Sequence, residues 1–403
     1  MKYPIGIQDF EDLQRNGYAY VDKTNFVYKL ADEGKYYFLS RPRRFGKSLF
    51  LSTLEAYFQG KKELFEGLAI YDLETEWKKY PIFHIDLNTA NFREKDSLYT
   101  VLNDYLTTWE SKYGTRESEA TLALRFKGVI ARAAEKEGCG VVILIDEYDK
   151  PILQTLRAPE LQAEHRAQLK AFYSVLKTQD RYIKFAFLTG VTKFGKVSVF
   201  SDLNNLTDIS MDHRYISICG MTEKELLTNF KEGINELAEA NGDSETETIA
   251  KISMRYAGYH FEENSEEIYN PFSVLNTLAN SRYDDYWFKA NTHTFLIDIL
   301  KKHDYCITDL NKAQVKANMM NNVDSNPIPV IYQSGYLTIK SYDERFKNYQ
   351  LGFPNKEVEE GILNIFLSAG DRFSYMEDEL NHNTEKEALQ QIEEKNYAAP
   401  LYR

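Results

Sequence analysis

The stretch Tyr36-Tyr-Phe-Leu-Ser-Arg-Pro-Arg-Arg-Phe-Gly-Lys-Ser-Leu-Phe-Leu-Ser-Thr53 places an apolar run, a basic turn, Gly46-Lys47-Ser48 and a helical pattern in direct succession. A strand that ends in a tight turn before a helix leaves unpaired backbone N–H groups and a positive helix terminus aimed at one point, which is where a phosphate fits. In that reading Arg43, Phe45, Gly46, Lys47 and Ser48 form the binding loop. Lys47 reaches the β- and γ-phosphates, and the Ser48 hydroxyl ligates the magnesium ion that bridges them. The pattern G-x-x-x-x-G-K-[ST] asks for glycine where this chain has Arg41.

A phosphate loop needs a second, acidic strand to become a nucleotide site, and Val141-Val-Ile-Leu-Ile-Asp-Glu-Tyr-Asp149 supplies one. Its continuous apolar run is the pattern of a strand buried on both faces of a parallel sheet, with carboxylates at the C-terminal end where ligands bind in open α/β sheets. Asp146 is expected to hold the magnesium shell and Glu147 to polarise a water for attack on the γ-phosphate. The structural alternative for Glu147 is an ion pair. Ile183-Lys-Phe-Ala-Phe-Leu-Thr-Gly-Val-Thr192 reads as a further buried strand, so Thr189 or Thr192 would contact the γ-phosphate or the attacking water, unless they only bond to backbone. Arg44, Arg43 and Arg214 are candidates for a cation on the transition state, against the commoner ion-paired arginine.

The remaining pattern is α/β. Pro81–Leu87 reads as a strand and Asp212–Cys219 as a fifth, shorter one, and helical patterns fall at Lys47 to Phe58, Ser97 to Trp109, Glu117 to Lys136 and Leu161 to Leu176. Strands alternating with helices imply a parallel sheet covered on both faces. The spacing of the loop and the acidic strand suggests the P-loop branch with an additional strand between them. From Met221 the pattern turns helical, opened by the capping box Thr222-Glu-Lys-Glu225 and running to Ala240. A further helix, Thr246 to Tyr256, precedes Asn270-Pro271, a cap with proline at the first helical position. The β-rich runs at 330–340 and 349–354 suggest a winged-helix-like unit. The expected organisation is therefore an α/β core carrying the phosphate loop at 1–220, a small helical domain at 221–285, a winged-helix-like domain at 286–360 and an acidic tail at 361–403.

The net charge of −12 argues against a chain held on nucleic acid or anionic lipid by its overall field. Three scattered cysteines with no C-x-x-C suggest neither a disulfide framework nor a zinc site, which points to a cytoplasmic protein. No apolar run is long enough to span a bilayer.

Tyr20-Val-Asp-Lys-Thr24, Arg41-Pro-Arg-Arg-Phe-Gly-Lys-Ser-Leu49, Ile145-Asp-Glu-Tyr-Asp149, Leu188-Thr-Gly-Val-Thr192 with Phe194, and Tyr269-Asn-Pro-Phe-Ser273 together resemble the bacterial AAA-ATPase-like proteins that commonly carry a C-terminal PD-(D/E)XK nuclease-like domain. The resemblance covers residues 1 to about 355, and the arginine-rich loop with Arg41 is itself the family form. It implies a P-loop ATPase core, a helical lid and a winged-helix-like domain, with ATP and Mg2+ as cofactors. Lys47, Ser48, Asp146 and Glu147 carry over directly. It leaves open a homo-oligomer and a DNA or protein partner on the winged-helix-like unit. The stretch after Glu360 is too short for the nuclease fold, and Glu377-Asp-Glu379 stands where Glu-x-Lys belongs. It therefore reads as an inactive remnant, or else as an unrelated acidic tail.

Overall fold

In a computed structural model the described residues are 1–193, 205–290, 296–297, 300, 307–320 and 326–368. The chain divides into two compact units, 1–359 and 360–403. Phe194 and the stretch Glu377-Asp-Glu379 lie outside the described residues.

Five parallel strands form the central sheet: β1 (Tyr36–Ser40), β2 (Ile82–Asp86), β3 (Val141–Asp146), β4 (Ile183–Gly190) and β5 (Thr207–Asp208), in the order β2-β3-β4-β1-β5. Every residue of β1 and β3 is buried, as their unbroken apolar runs require of strands covered on both faces. Each fully buried aliphatic side chain contributes roughly 1.5–3 kcal/mol relative to exposure. Helices Ser97–Tyr113, Leu122–Glu137 and Pro159–Thr178 cover one side, where Phe126 stacks on Phe172 at 4.3 Å and Phe83 on Trp109 at 4.5 Å.

The inserted strand between the loop strand and the acidic strand is β4, with Phe38 opposite Leu188 and Ile145 also opposite Leu188. Strand β2 takes the far edge beside β3, with Asp86 opposite Asp146. This register brings Ser40, Asp146 and Gly190 to one end of the sheet.

The fifth strand is not where the sequence pattern put it. Asp212 accepts a hydrogen bond from the Arg214 N–H, which starts a 3-10 helix over His213–Ile218, and the sheet edge is instead the two-residue β5. The apolar residues Tyr215, Ile216 and Ile218 are buried all the same, so a short buried turn carries the composition of a strand.

The capping box at Thr222 and Glu225 forms as expected, yet the helix stops at Asn229 and restarts at Lys231, with Phe230 at φ −127° between them. Helices Glu245–Tyr256 and Pro271–Asn280 follow, the second capped by the Asn270 side chain and led by Pro271. Met221, Leu226, Phe230, Ile234, Leu237, Ile252, Tyr256 and Leu278 form their own core.

A second, antiparallel sheet of β6 (Gln314–Lys316), β7 (Thr338–Asp343) and β8 (Asn348–Gly352) has the order β6-β8-β7. The run Val330–Gln333, read as strand-like from its β-branched residues, belongs to helix Pro327–Gln333. Asn326 caps that helix by accepting from the Ile328 N–H, and Pro327 opens it. The cap and the proline outweigh intrinsic strand preference here.

Candidate active site

Helix Lys47–Phe58 begins directly after Gly46, whose φ of +94° is the left-handed conformation that glycine adopts freely. A Cβ there would meet nothing within 4 Å, so it is the backbone angle and not crowding that calls for glycine. The Phe50 N–H is the first to bond within the helix, to the Gly46 carbonyl at 3.0 Å. The preceding N–H groups have no helical acceptor and point from the positive end of the helix.

Lys47 is buried, and its Nζ lies 3.2 Å from each of the Arg41 and Pro42 carbonyls and 3.4 Å from Glu147 Oε1. The loop lysine and the acid that follows β3 therefore meet across the mouth of the loop. Glu147 has φ +51°, an unusual backbone for glutamate, and its N–H donates to Asp146 Oδ1 at 2.9 Å. The Ser48 hydroxyl neighbours the Asp146 carboxyl. Burial and the neighbouring Glu147 charge push the Asp146 carboxyl up, while Ser48 and Lys47 act the other way. A hydroxyl beside a buried carboxylate offers the hard oxygen donors that magnesium takes, the rest of its octahedron coming from phosphate and water.

Arg43, Arg44, Gly46, Lys47, Ser48 and Glu147 line one cavity of about 500 Å3, within the range of cofactor sites, roughly 300–1,000 Å3. Asp146 does not line it and stands beside Ser48, which does. Pro4–Gln8 form a second wall and Pro271, Phe272, Leu275 and Asn276 a third. Among the described residues four cations, Arg43, Arg44, Lys47 and Lys150, face a single lining carboxylate, Glu147, so the field of these residues is opposite in sign to the net charge of the chain. Arg44, at φ +67°, holds its guanidinium 4.9 Å from the Phe272 ring. Phe45 turns away from this cavity and packs on Tyr259 at 4.9 Å, lining a smaller apolar cavity of about 90 Å3 with Tyr20, Val21 and Lys23. The Tyr20–Thr24 motif thus stands one layer behind the loop helix, where Lys23 pairs with Glu225 at 2.5 Å.

Arg41 explains its own departure from the glycine pattern. It does not adopt a positive φ, and its side chain leaves the loop entirely. The guanidinium donates to the carbonyls of Ser40 (2.9 Å), Ser210 (2.7 Å), Tyr215 (3.3 Å) and Ile216 (3.3 Å) and lies 4.0 Å over the Phe261 ring. It is a buried strut between the loop, the β5 edge and the helical region, and burial pulls its pKa down to about 10.

The strand-end threonines are committed elsewhere. Thr189 donates to the Leu39 carbonyl at 2.9 Å, and Thr192 donates through its N–H (2.6 Å) and Oγ1 (2.7 Å) to Asp149. Neither lines the cavity. Arg214 pairs with Asp212 at 2.7 Å and also lies outside it. Asp149, which sequence reasoning left without a role, is wholly buried, and together with the Tyr148 hydroxyl bonded to the Thr192 carbonyl it clamps the end of β4 to β3. A Cβ on Gly190 would come within 2.4 Å of Asp149 Oδ1, so the clamp requires glycine there. Pro4–Gln8, Asn88 and Lys150 are among the lining residues that sequence reasoning missed. Only the lysine following the acidic motif carried a signal.

Among the described residues no helix is long and apolar enough to cross a membrane. The family model described as Predicted AAA-ATPase, AAA-ATPase-like, matches residues 4–200. A protein of Azotobacter chroococcum mcd 1, described as an uncharacterized protein in the vnfD 5′ region, is 38% identical over 372 residues, which is 91% of this chain and 70% of that protein. With the loop, the acidic strand and the inserted β4 in one parallel sheet, the chain belongs to the AAA-ATPase-like family of predicted AAA-ATPases.

Proposed function

We propose that the protein binds ATP with Mg2+ in the cavity at the end of β1 and β3, hydrolyses it, and uses the nucleotide to set the angle between the sheet domain and the helices of residues 223–280, which act as a lid. The observation that carries this reading is the convergence of Lys47, Ser48 and Glu147 on a cavity whose opposite wall is Pro271, Phe272 and Leu275. A ligand held there touches both parts of the chain at once.

The loop N–H groups and Lys47 bind the phosphates, which replace the Arg41 and Pro42 carbonyls and Glu147 as partners of the lysine ammonium. Ser48 and Asp146 would hold Mg2+, which neutralises charge on the β- and γ-phosphates. Glu147, freed from Lys47, accepts the proton of the attacking water. Arg43 and Arg44 face the phosphate chain, and Pro4–Gln8 with Leu49 and Leu275 offer apolar surface for the nucleoside. Thr189 and Thr192 act through position, fixing β4 against β1 and β3.

Calorimetry with ATP and Mg2+ tests the reading. Lys47→Ala is expected to weaken ATP binding by about tenfold or more, about 1.4 kcal/mol. Equal affinity in the two proteins refutes it.

A further inference from the structure

Lys150 opens helix Lys150–Gln154, and its N–H bonds to the Glu147 carbonyl at 3.0 Å, so lysine and glutamate belong to one turn at the end of β3. Both line the cavity that holds Lys47, Ser48 and Arg43. The Lys150 ammonium is held by two neutral acceptors of one residue, the Asn88 carbonyl at 2.8 Å and Asn88 Oδ1 at 2.5 Å. Among the described residues no carboxylate lies within ion-pair distance of it. Asn88 follows β2, the strand paired with β3, so the lysine is braced from the neighbouring strand end and not by its own helix.

Burial draws the lysine pKa down, Glu147 and Asp86 draw it up, and Arg43 on the loop repels it. The Lys150 ammonium thus shares the cavity wall with Glu147, which follows β3, and with Arg43 of the basic loop. A cation braced by amide oxygens, in a wall shared with the residue that activates water, can meet negative charge arriving from the cavity without first breaking an ion pair. Placed at the terminal phosphate, such a charge stabilises the equatorial oxygens as the bond to the leaving group lengthens.

We infer that Lys150, positioned by Asn88, is the cation that stabilises the transferring γ-phosphoryl group, so that the chain supplies from its own sequence the charge that related phosphoryl-transfer sites take from an arginine. The inference deepens the ATPase reading and rests on it. In the step, water oxygen bonds to the γ-phosphorus as the bond from that phosphorus to the β,γ-bridging oxygen breaks. The water proton passes to Glu147, ADP leaves with the bridging oxygen, and inorganic phosphate remains beside Lys150 and Lys47.

The test compares wild type with Lys150→Met, Lys150→Arg and Asn88→Ala, reading ADP and ATP affinity by calorimetry and phosphate release at several protein concentrations. Lys150→Met is expected to bind ADP within about threefold of wild type while turnover falls by about a thousandfold or more, the scale of losing a transition-state cation. Lys150→Arg should recover turnover to within about tenfold of wild type, because the charge is restored. Asn88→Ala should lower turnover by about tenfold with unchanged ADP affinity, the scale of a lost positioning contact. Wild-type turnover per chain should not depend on protein concentration. Undiminished turnover in Lys150→Met overturns the inference, as does a parallel loss of ADP affinity, which would make the lysine structural. Turnover that rises steeply with protein concentration also overturns it, by pointing to a cation from a neighbour. Wild type that binds neither nucleotide overturns the ATPase reading itself.

Discussion

Replacing Arg41 by glycine would restore the glycine of the general phosphate-loop pattern, and the structure makes this repair destabilising. The guanidinium bonds to Ser40 and Ser210 carbonyls at 2.9 and 2.7 Å are charge-assisted, worth about 1.5–3 kcal/mol each, and those to Tyr215 and Ile216 at 3.3 Å are weaker. Their loss leaves buried carbonyls short of donors, at about 1–3 kcal/mol for each one that water does not reach. Glycine also adds about 0.5–1 kcal/mol of unfolded-state freedom. Against this, removing a buried guanidinium recovers several kcal/mol of desolvation. The net expectation is a loss of about 2–4 kcal/mol. Urea unfolding followed by tryptophan fluorescence measures it, and Arg41→Met, which keeps apolar volume over Phe261 but offers no donor, should lose most of the same amount. Arg41→Gly as stable as wild type, or more stable, refutes the strut.

Two further outcomes are expected. Glu147→Gln should keep ATP affinity while phosphate release falls by about a hundred- to ten-thousandfold; a single-turnover assay with undiminished release removes Glu147 from its role. Glu357 is buried and its pKa is raised from 4.5 to about 8, burial outweighing hydrogen bonds from Ser273 and from the N–H groups of Trp287 and Phe288. The folded protein therefore keeps a proton that the unfolded chain releases. That contribution to stability is complete below pH 4.5 and is lost as pH rises through about 8. The melting temperature of wild type relative to Glu357→Gln should accordingly fall across this window, and a flat difference refutes the shift.

Much of the site was legible because its chemistry is local. A loop that presents successive N–H groups, a lysine and a hydroxyl must be contiguous in the chain, so Gly46-Lys47-Ser48 declares itself, and a strand buried on both faces must be an unbroken apolar run, so Val141–Asp146 does too. The capping box at Thr222 and the Asn270-Pro271 helix start are contiguous in the same way. What failed was contiguous but ambiguous: Asp212–Cys219 and Val330–Gln333 hold the apolar residues of strands, and a capping side chain turned each into a helical segment.

By itself the sequence determined that a phosphate loop and an acidic strand exist and that strands alternate with helices into an α/β chain. It could not determine which strand lies between them, because sheet order follows from how helices cover two faces, and β4, not the earlier β2, took that place. Nor could it assign directions to side chains. Only the tertiary structure turned Arg41 out of the loop to bond carbonyls 169 to 175 residues away. It also spent Thr189 and Thr192 on holding β4, and brought Asn88 to Lys150 across 62 residues. Those partners meet because separate strands end at one edge of one sheet, and that meeting leaves no mark in any short stretch of chain.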